Sequence, residues 1–173
     1  MTKLLRPEAE RLSARGAPRE LAGGFTLTEL VVTIAIASVL TTLAVPSFNY
    51  VIATEHAKAA ASELYTSLFT ARADAIRLNQ QMVTSAATGG WKNGWSIAPK
   101  SGGAALDNHG ATKQTSISEA AGATTVTYYP SGRLAVGAAP VFHITAQTGS
   151  AVSTQCVSVN PTGTPYMAAG STC

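Results

Sequence analysis

Hydrophobic and polar residues divide the chain into three stretches of different character. Residues 1–24 are polar, basic and rich in turn-forming residues, whereas residues 25–46 are almost entirely apolar and carry one charge, Glu29. A helix over the apolar stretch would span roughly 30 Å, the thickness of the hydrocarbon core of a bilayer. This stretch therefore predicts a membrane-spanning helix. The basic residues before it predict that the N-terminal end faces the cytoplasm.

Residues 47–80 continue the helical pattern in an amphipathic form. Apolar residues recur at helical spacing with charged residues mostly between them, and no glycine occurs before Gly89. Pro46 removes one backbone hydrogen bond and predicts a kink between the two halves. We expect one helix from about Thr28 to Asn79, whose second half needs a surface to cover its apolar face. That face is predicted to contain Phe48, Ile52, Ala59, Leu64, Leu68, Ala71 and Leu78.

Residues 81–173 change to short β-prone runs separated by glycine, proline, asparagine and aspartate. The Pro130-Ser131-Gly132 segment predicts a hairpin turn, and residues 99–112 predict a mobile loop. The chain is therefore expected to be an α+β protein, with one long helix packed on antiparallel β-structure. The predicted strands are Met82–Ala86, Gly94–Ala98, Thr115–Ser118, Thr124–Tyr129, Arg133–Val136, Val141–Ala146, Gln155–Val159 and Pro165–Ala168.

The charge of the chain is low and unevenly distributed. Charged residues make up 12% of the sequence, about half the usual share of a soluble globular protein. Of the net charge of +3, two units arise before Phe25, and no Lys, Arg, Asp or Glu follows Arg133. DNA affinity depends on neutralising phosphates, so this composition argues against a nucleic-acid-binding core.

Two cysteines, Cys156 and Cys173, lie near the C-terminal end. An even count behind an export-like N-terminus favours one disulfide, and the alternative is two unpaired thiols in a reducing compartment. Such a crosslink would contribute around 3 kcal/mol and would hold the C-terminus to the sheet. No metal-ligand spacing surrounds these cysteines, and no basic neighbour favours a reactive thiolate.

Enzymatic chemistry finds little support in the sequence. The three histidines, His56, His109 and His143, are not accompanied by a zinc-protease, nucleophile-elbow, phosphate-loop or paired-carboxylate motif. We therefore expect no catalytic residue, no metal site and no cofactor. Trp91 and Trp95 flank a short turn and are expected to serve as packing aromatics.

The apolar N-terminal stretch has three interpretations. An ordinary signal peptide has a shorter apolar region with a small-residue cleavage site after it. A plain signal anchor would not need Glu29, because a charge inside a membrane helix costs on the order of a few kcal/mol. The third interpretation is a precursor that is cleaved before Phe25, and it accounts for the charge.

The segment GGFTLTEL, residues 23–30, resembles the N-terminal signature of type IV pilins and pseudopilins. With the apolar helix and Pro46 behind it, this resemblance implies a prepilin leader over residues 1–24, cut by a prepilin peptidase between Gly24 and Phe25. It further implies methylation of the new Phe25 amine and pairing of Glu29 with the N-terminal amine of a neighbouring subunit. The leader is long for this family, for which a misplaced start codon is a simple explanation.

The C-terminal half resembles the GspH/FimT family of minor pilins and minor pseudopilins. The resemblance consists of the Pro130–Arg133 turn, the late Cys156 with a Val-x-Val strand, an Asn-Pro-Thr-Gly turn at residues 160–163 and the terminal Cys173. Some members bind DNA through arginines that follow the Thr-Gly turn. Here the turn is followed by Thr-Pro-Tyr, so only Arg133 offers a phosphate contact and DNA binding is disfavoured.

These observations predict a non-catalytic minor pilin that primes or caps a type IV pilus. The alternatives are a minor pseudopilin of a type II secretion system and, further off, a DNA-binding competence pilin. The expected partners are the prepilin peptidase, other pilins and the inner membrane, but not DNA. We expect a single-pass inner-membrane protein with a cytoplasmic N-terminus and a periplasmic domain at residues 81–173, which later enters a filament.

Overall fold

The computed structural model of the chain describes residues 24–135 and 139–173, apart from the side chains of residues 43, 45 and 46. The described chain divides into two units, with the boundary between Ser38 and Val39. The predicted leader before Gly24 and the end of the predicted strand at Val136 lie outside the described residues.

One helix, α1, runs over Leu27–Arg77, which confirms the predicted helix to within two residues at each end. It is the one helix in the described chain that is long and apolar enough to cross a membrane, with a mean hydropathy of 2.1 over 18 residues that are all unburied. Its side chains from residue 27 to residue 42 are all exposed. Position 46 lies within α1, and the kink at Pro46 stays a prediction.

The later part of α1 is covered along one face. The prediction that Phe48, Ile52 and Ala59 belong to this face is wrong, since Phe48 and Ile52 are 68% and 40% exposed and Ala59 is exposed as well. The covered face consists mostly of small side chains. The buried residues are Ala53, Ala57, Ala60, Ala61, Leu64, Ser67, Leu68, Ala71 and Ala75.

Within residues 24–135 and 139–173, eight strands form two four-stranded antiparallel sheets, which confirms the α+β class. The first sheet has the order β3-β2-β1-β5 and the second the order β4-β6-β7-β8. The strands are β1 (Met82–Ala86), β2 (Trp95–Pro99), β3 (Asp107–His109), β4 (Thr115–Glu119), β5 (Thr125–Tyr128), β6 (Val141–Thr148), β7 (Ala151–Val159) and β8 (Pro165–Ala169).

Three sequence predictions differ from these strands by more than two residues. The strand predicted from Gln155 begins four residues earlier, since β7 starts at Ala151. The predicted loop at residues 99–112 contains β3, which pairs with β2 through the register Trp95↔His109. The residues of β3 are polar and do not alternate with apolar ones. An edge strand of this kind is held by backbone hydrogen bonds to its neighbour and not by a buried apolar face. The described part of the predicted strand at 133–136 makes a single bridge, Leu134 to Tyr128.

The core of the second unit joins α1 to both sheets. Strand β6 buries alternate residues, Phe142 and Ile144 among them. The Phe142 ring meets Trp91 edge-on at 4.9 Å, and the Trp91 indole N–H donates to the carbonyl of Ala123 over 2.8 Å. Trp91 and Trp95 are both nearly fully buried, which confirms their predicted role as packing aromatics.

Candidate functional sites

The predicted cleavage bond lies in an open part of the chain. Gly24 and Phe25 precede α1, and Phe25 is 85% exposed. A methyl group placed on Gly24 would meet no heavy atom within 4 Å. No part of the described first unit shields the bond between these residues, and its cleavage stays a prediction.

Glu29 forms a capping box with Thr26 at the start of α1. The Thr26 amide and hydroxyl each donate to Glu29 Oε2 over 3.1 Å, and the Glu29 amide donates to the Thr26 hydroxyl over 3.2 Å. Thr26 directly precedes the first helical residue, Leu27. The two side chains therefore satisfy backbone amides at the helix start reciprocally. In the isolated subunit the Glu29 carboxylate is held by its own chain.

A disulfide joins Cys156 to Cys173, with the two Cα atoms 5.5 Å apart. Cys156 lies on β7, is fully buried and stands opposite Ala168 of β8. The bond therefore fastens the last residues of the chain to an interior strand of the second sheet. This confirms the predicted crosslink over the alternative of two unpaired thiols.

The Pro130–Arg133 segment forms the predicted hairpin turn and packs on α1. The Gly132 amide donates to the Tyr129 carbonyl, and the Tyr129 amide donates to the Arg133 carbonyl, both over 2.8 Å. Arg72 of α1 donates from Nε to the Gly132 carbonyl over 3.0 Å. A methyl group on Gly132 would lie 2.7 Å from Ile76 Cδ1. The turn is therefore seated directly against the helix.

The Asn-Pro-Thr-Gly turn at residues 160–163 packs against this first turn. The Gly163 amide donates to the Asn160 carbonyl over 2.8 Å, and the Thr164 amide donates to Asn160 Oδ1 over 2.9 Å. Gly163 has a φ of +90°, and a methyl group there would overlap the carbonyl oxygen of Gly132. The two turns and α1 thus meet at one junction, where the backbone of the first turn leaves no room for a side chain at position 163.

Tyr128 lies just before the first turn and is fully buried. Its hydroxyl has no hydrogen-bond partner among the described residues. Burial raises the pKa of the Tyr128 phenol well above its usual range, and the nearby Arg72 guanidinium opposes this rise in part. The phenol therefore stays neutral, and Tyr128 acts as a core residue.

The predicted DNA contact, Arg133, is exposed. Its side chain has no partner among residues 24–135 and 139–173. Tyr166, on β8 after the second turn, is 40% exposed. No Lys or Arg follows Arg133 in the sequence, so β8 and the residues after it add no side chain that could neutralise phosphates.

The three histidines lie on separate elements. His109 stacks on Trp95 at 4.3 Å and places its Nε2 3.6 Å from Glu63 Oε2. His56 lies on α1, and His143 lies on β6. Within the described parts of the chain, no three His, Cys, Asp or Glu side chains are grouped to hold a metal ion.

Two residues of these sites were not predicted. Thr26 had a readable signal, the Thr-x-x-Glu spacing of a capping box. Arg72 had none, because it resembles any charged residue of an amphipathic helix and its partner, Gly132, lies 60 residues further along the chain.

An exposed apolar helix at the N-terminus, two antiparallel sheets and a C-terminal disulfide define a protein of the type IV pilin class. Residues 60–163 match the family described as Type II transport protein GspH. The chain belongs to this family, which confirms the resemblance seen in the sequence. The matched segment ends at Gly163 and contains both turns of the junction.

Two solved structures are similar to the chain, both of the type IV minor pilin FimU of Pseudomonas aeruginosa PAO1. In space group P21 the identity is 22%, the TM-score is 0.56, and the match covers 67% of this chain and 89% of FimU. In space group P65 the corresponding values are 23%, 0.56, 64% and 91%. These similarities show a shared fold. No curated protein matches the chain.

Proposed function

We propose that this chain is a non-catalytic minor pilin subunit that is cleaved, released from the membrane and built into a type IV pilus. The observation that carries the proposal is the contrast along α1. Its side chains from residue 27 to residue 42 are all exposed, whereas one face of α1 between Ala53 and Ala75 is buried in the folded unit. Apolar surface of this extent needs lipid or other helices around it, and a pilin uses both in turn.

Maturation begins at the exposed bond between Gly24 and Phe25. Before cleavage, the charged leader holds the helix in the inner membrane, with residues 81–173 in the periplasm. The prepilin peptidase removes residues 1–24, and the new Phe25 amine is methylated. The helix then leaves the bilayer for the filament.

Glu29 sets the register of the subunit in the filament by pairing with the N-terminal amine of a neighbour. The capping box with Thr26 gives the carboxylate partners before assembly. The free energy of pairing is therefore a difference between the intersubunit contact and the capping bonds that it replaces or shares. The negative charge of Glu29 separates its role in intersubunit pairing from its role in capping, because a neutral amide side chain can also cap a helix.

The decisive experiment measures the N-terminal mass of the membrane-extracted protein with and without the prepilin peptidase. A chain that starts at methylated Phe25 only when the peptidase is present supports the proposal. The Glu29→Gln variant is the matched test of assembly: it keeps the capping geometry, should be cleaved normally and should be depleted from sheared filaments. An intact or differently cut chain would sink the proposal and leave a single-pass anchored domain.

A second candidate is a minor pseudopilin of a type II secretion system. It is favoured by the family description, which refers to type II transport, whereas the similar solved structures are of a type IV minor pilin. The two machines use the same helix and cleavage. Deletion of the gene separates them: loss of surface filaments indicates the pilus, and loss of exoprotein secretion with intact filaments indicates the secretion system.

A further inference from the structure

A histidine stands beside the disulfide on the outer face of the second sheet. His143 of β6 is the register partner of Cys156 of β7. Their strand neighbours Phe142 and Val157 belong to the core, so the side chains of His143 and Cys156 lie together on the opposite face of the sheet. No Lys, Arg or His is close to either cysteine in the sequence. Strand pairing therefore supplies a basic neighbour that the local sequence lacks.

The side chains of this pair are within reach of each other. Thr145 and Thr154, two positions away along the same two strands, bring their hydroxyl oxygens to 3.3 Å. The Gly170 amide donates to the Thr154 carbonyl, so the backbones of Thr154 and Cys156 are turned to β8 and away from β6. Cross-strand pairs without mutual backbone hydrogen bonds are the closer kind, with Cβ atoms about 4.5–5.5 Å apart. The His143 imidazole can therefore approach the sulfur of Cys156.

One ring nitrogen of His143 is left without a partner. Its Nδ1 is buried and has no hydrogen bond to any described residue. A buried polar atom in this state costs free energy, and redox chemistry is one of the reasons for which proteins retain such atoms. Reduction supplies the missing partner, because the Cys156 thiol is a donor that the disulfide lacks. The unpartnered Nδ1 is thus what a thiol–imidazole pair leaves behind after oxidation.

The two cysteines differ in their access to solvent. Cys173 is exposed, whereas Cys156 is fully buried. The rate of thiol–disulfide exchange depends on which sulfur a reagent can approach. An external disulfide therefore meets Cys173 first, and Cys156 reacts within its own chain.

Other titratable groups near His143 are few. Among the residues of β6, β7 and β8, which all lie in the described chain, His143 is the one His, Lys, Arg, Asp or Glu. On β4, Glu119 lies one register position away, and its carboxylate accepts three backbone amides. Tyr166 of β8 lies two register positions from Cys156. His143 is therefore the base that the register places nearest to Cys156.

We propose that Cys173 is the site at which a disulfide oxidant enters, and that His143 is the proton acceptor that lets Cys156 close the bond. The Cys173 sulfur bonds to one sulfur of the oxidant as the S–S bond of the oxidant breaks, and the Cys173 proton passes to the thiolate that is released. His143 Nδ1 then takes the proton of the Cys156 thiol. The Cys156 thiolate attacks Cys173 Sγ, and the second oxidant sulfur leaves with the electron pair of the broken bond and takes up the proton from His143. Two thiols of the chain are oxidised, and one disulfide of the oxidant is reduced to two thiols.

The test follows closure of the bond in the reduced full-length protein in detergent, with oxidised glutathione as the oxidant. Samples are quenched with acid, and the position of each glutathione adduct is mapped by mass spectrometry. The variant is His143→Gln, which keeps a polar side chain but lacks a basic nitrogen. His56→Gln on α1 is the control. Opening of the oxidised, folded protein by reduced glutathione is measured as well, because this reverse reaction does not require the reduced chain to stay folded.

The expected first product is a glutathione adduct at Cys173 that forms at the same rate in every variant. In His143→Gln this adduct should accumulate, and closure and opening should both be about tenfold slower than in the wild type and in His56→Gln. The difference should vanish at about pH 10, above the usual thiol pKa of about 8.5, because Cys156 then ionises without a base.

Three outcomes would overturn the proposal. The first is an adduct that forms at Cys156 before Cys173. The second is an equal slowing of adduct formation and closure in His143→Gln, which indicates a general change of structure. The third is a rate of opening from the oxidised state that is the same in His143→Gln and in the wild type, and this comparison decides the matter where the reduced variant does not stay folded.

Discussion

Replacement of Gly163 by alanine should destabilise the folded unit by about 3–4 kcal/mol. A non-glycine residue in left-handed backbone costs roughly 1–2 kcal/mol, and Gly163 has a φ of +90°. The added methyl group also overlaps the Gly132 carbonyl oxygen, so the two turns must separate. That movement weakens the hydrogen bond from Arg72, worth about 1 kcal/mol, together with contacts around it.

Gly170 provides a matched control for this change. Its φ is +95°, close to that of Gly163, but an added methyl group would meet no heavy atom within 4 Å. The Gly170→Ala variant should therefore lose only the backbone part, roughly 1–2 kcal/mol. The assay is denaturant and thermal unfolding of the full-length protein in detergent, followed by the fluorescence of the buried residues Trp91 and Trp95.

The difference between the two variants isolates the contact between the turns. Gly163→Ala should lower the unfolding temperature on the order of 10 °C, and Gly170→Ala by less than half of that. Equal losses in the two variants would refute the reasoning, because backbone conformation alone would then explain both. A loss confined to Gly170→Ala would refute it more strongly.

Three further outcomes are expected. Reduction, or a Cys156→Ser and Cys173→Ser pair, should cost around 3 kcal/mol, measured as the difference in denaturant midpoint with and without reductant. Tyr128→Phe should change stability little at neutral pH, since the hydroxyl is unpartnered. Burial raises the pKa of Tyr128 above the unfolded value of about 10, so the stability of the wild-type protein should fall as pH rises past 10. The Tyr128→Phe variant should show a smaller fall. Denaturant midpoints of unfolding, measured from pH 8 to 11 for both proteins, test this. Thr26→Val, but not Thr26→Ser, should speed hydrogen exchange of the Glu29 amide in micelles by removing the capping hydroxyl.

The features of this fold that could be predicted are those that depend on patterns of residues close together in the sequence. The β-prone runs between turn residues located most of the strands, and the helical spacing of apolar residues predicted a helix from Thr28 to Asn79, close to the bounds of α1. The pairing of Cys156 with Cys173 followed from a count of two and an export-like N-terminus. Each of these signals depends on neighbours within a few residues, or on a choice with one possible pairing.

The unpredicted features depend on contacts between distant residues. Strand β3 carries Asp107 and His109 with no apolar alternation, and it exists because β2 offers a free edge. The contact between Gly132 and Gly163 joins two turns that each look complete on their own. Arg72 reaches across to one of them without a local signal. Long-range contacts of this kind have no periodic trace in the sequence.

The error over Phe48 and Ile52 has an instructive physical cause. The large apolar residues seemed the natural members of the covered helix face, yet buried alanines such as Ala57 and Ala71 dominate it. Methyl groups fill a covered helix face as well as larger side chains do, so burial along this face follows helical spacing and not side-chain size. The same spacing places Arg72, directly after the buried Ala71, where its Nε reaches the Gly132 carbonyl. Helical position, and not the size of a residue, therefore decides which side chains of α1 meet the rest of the folded unit.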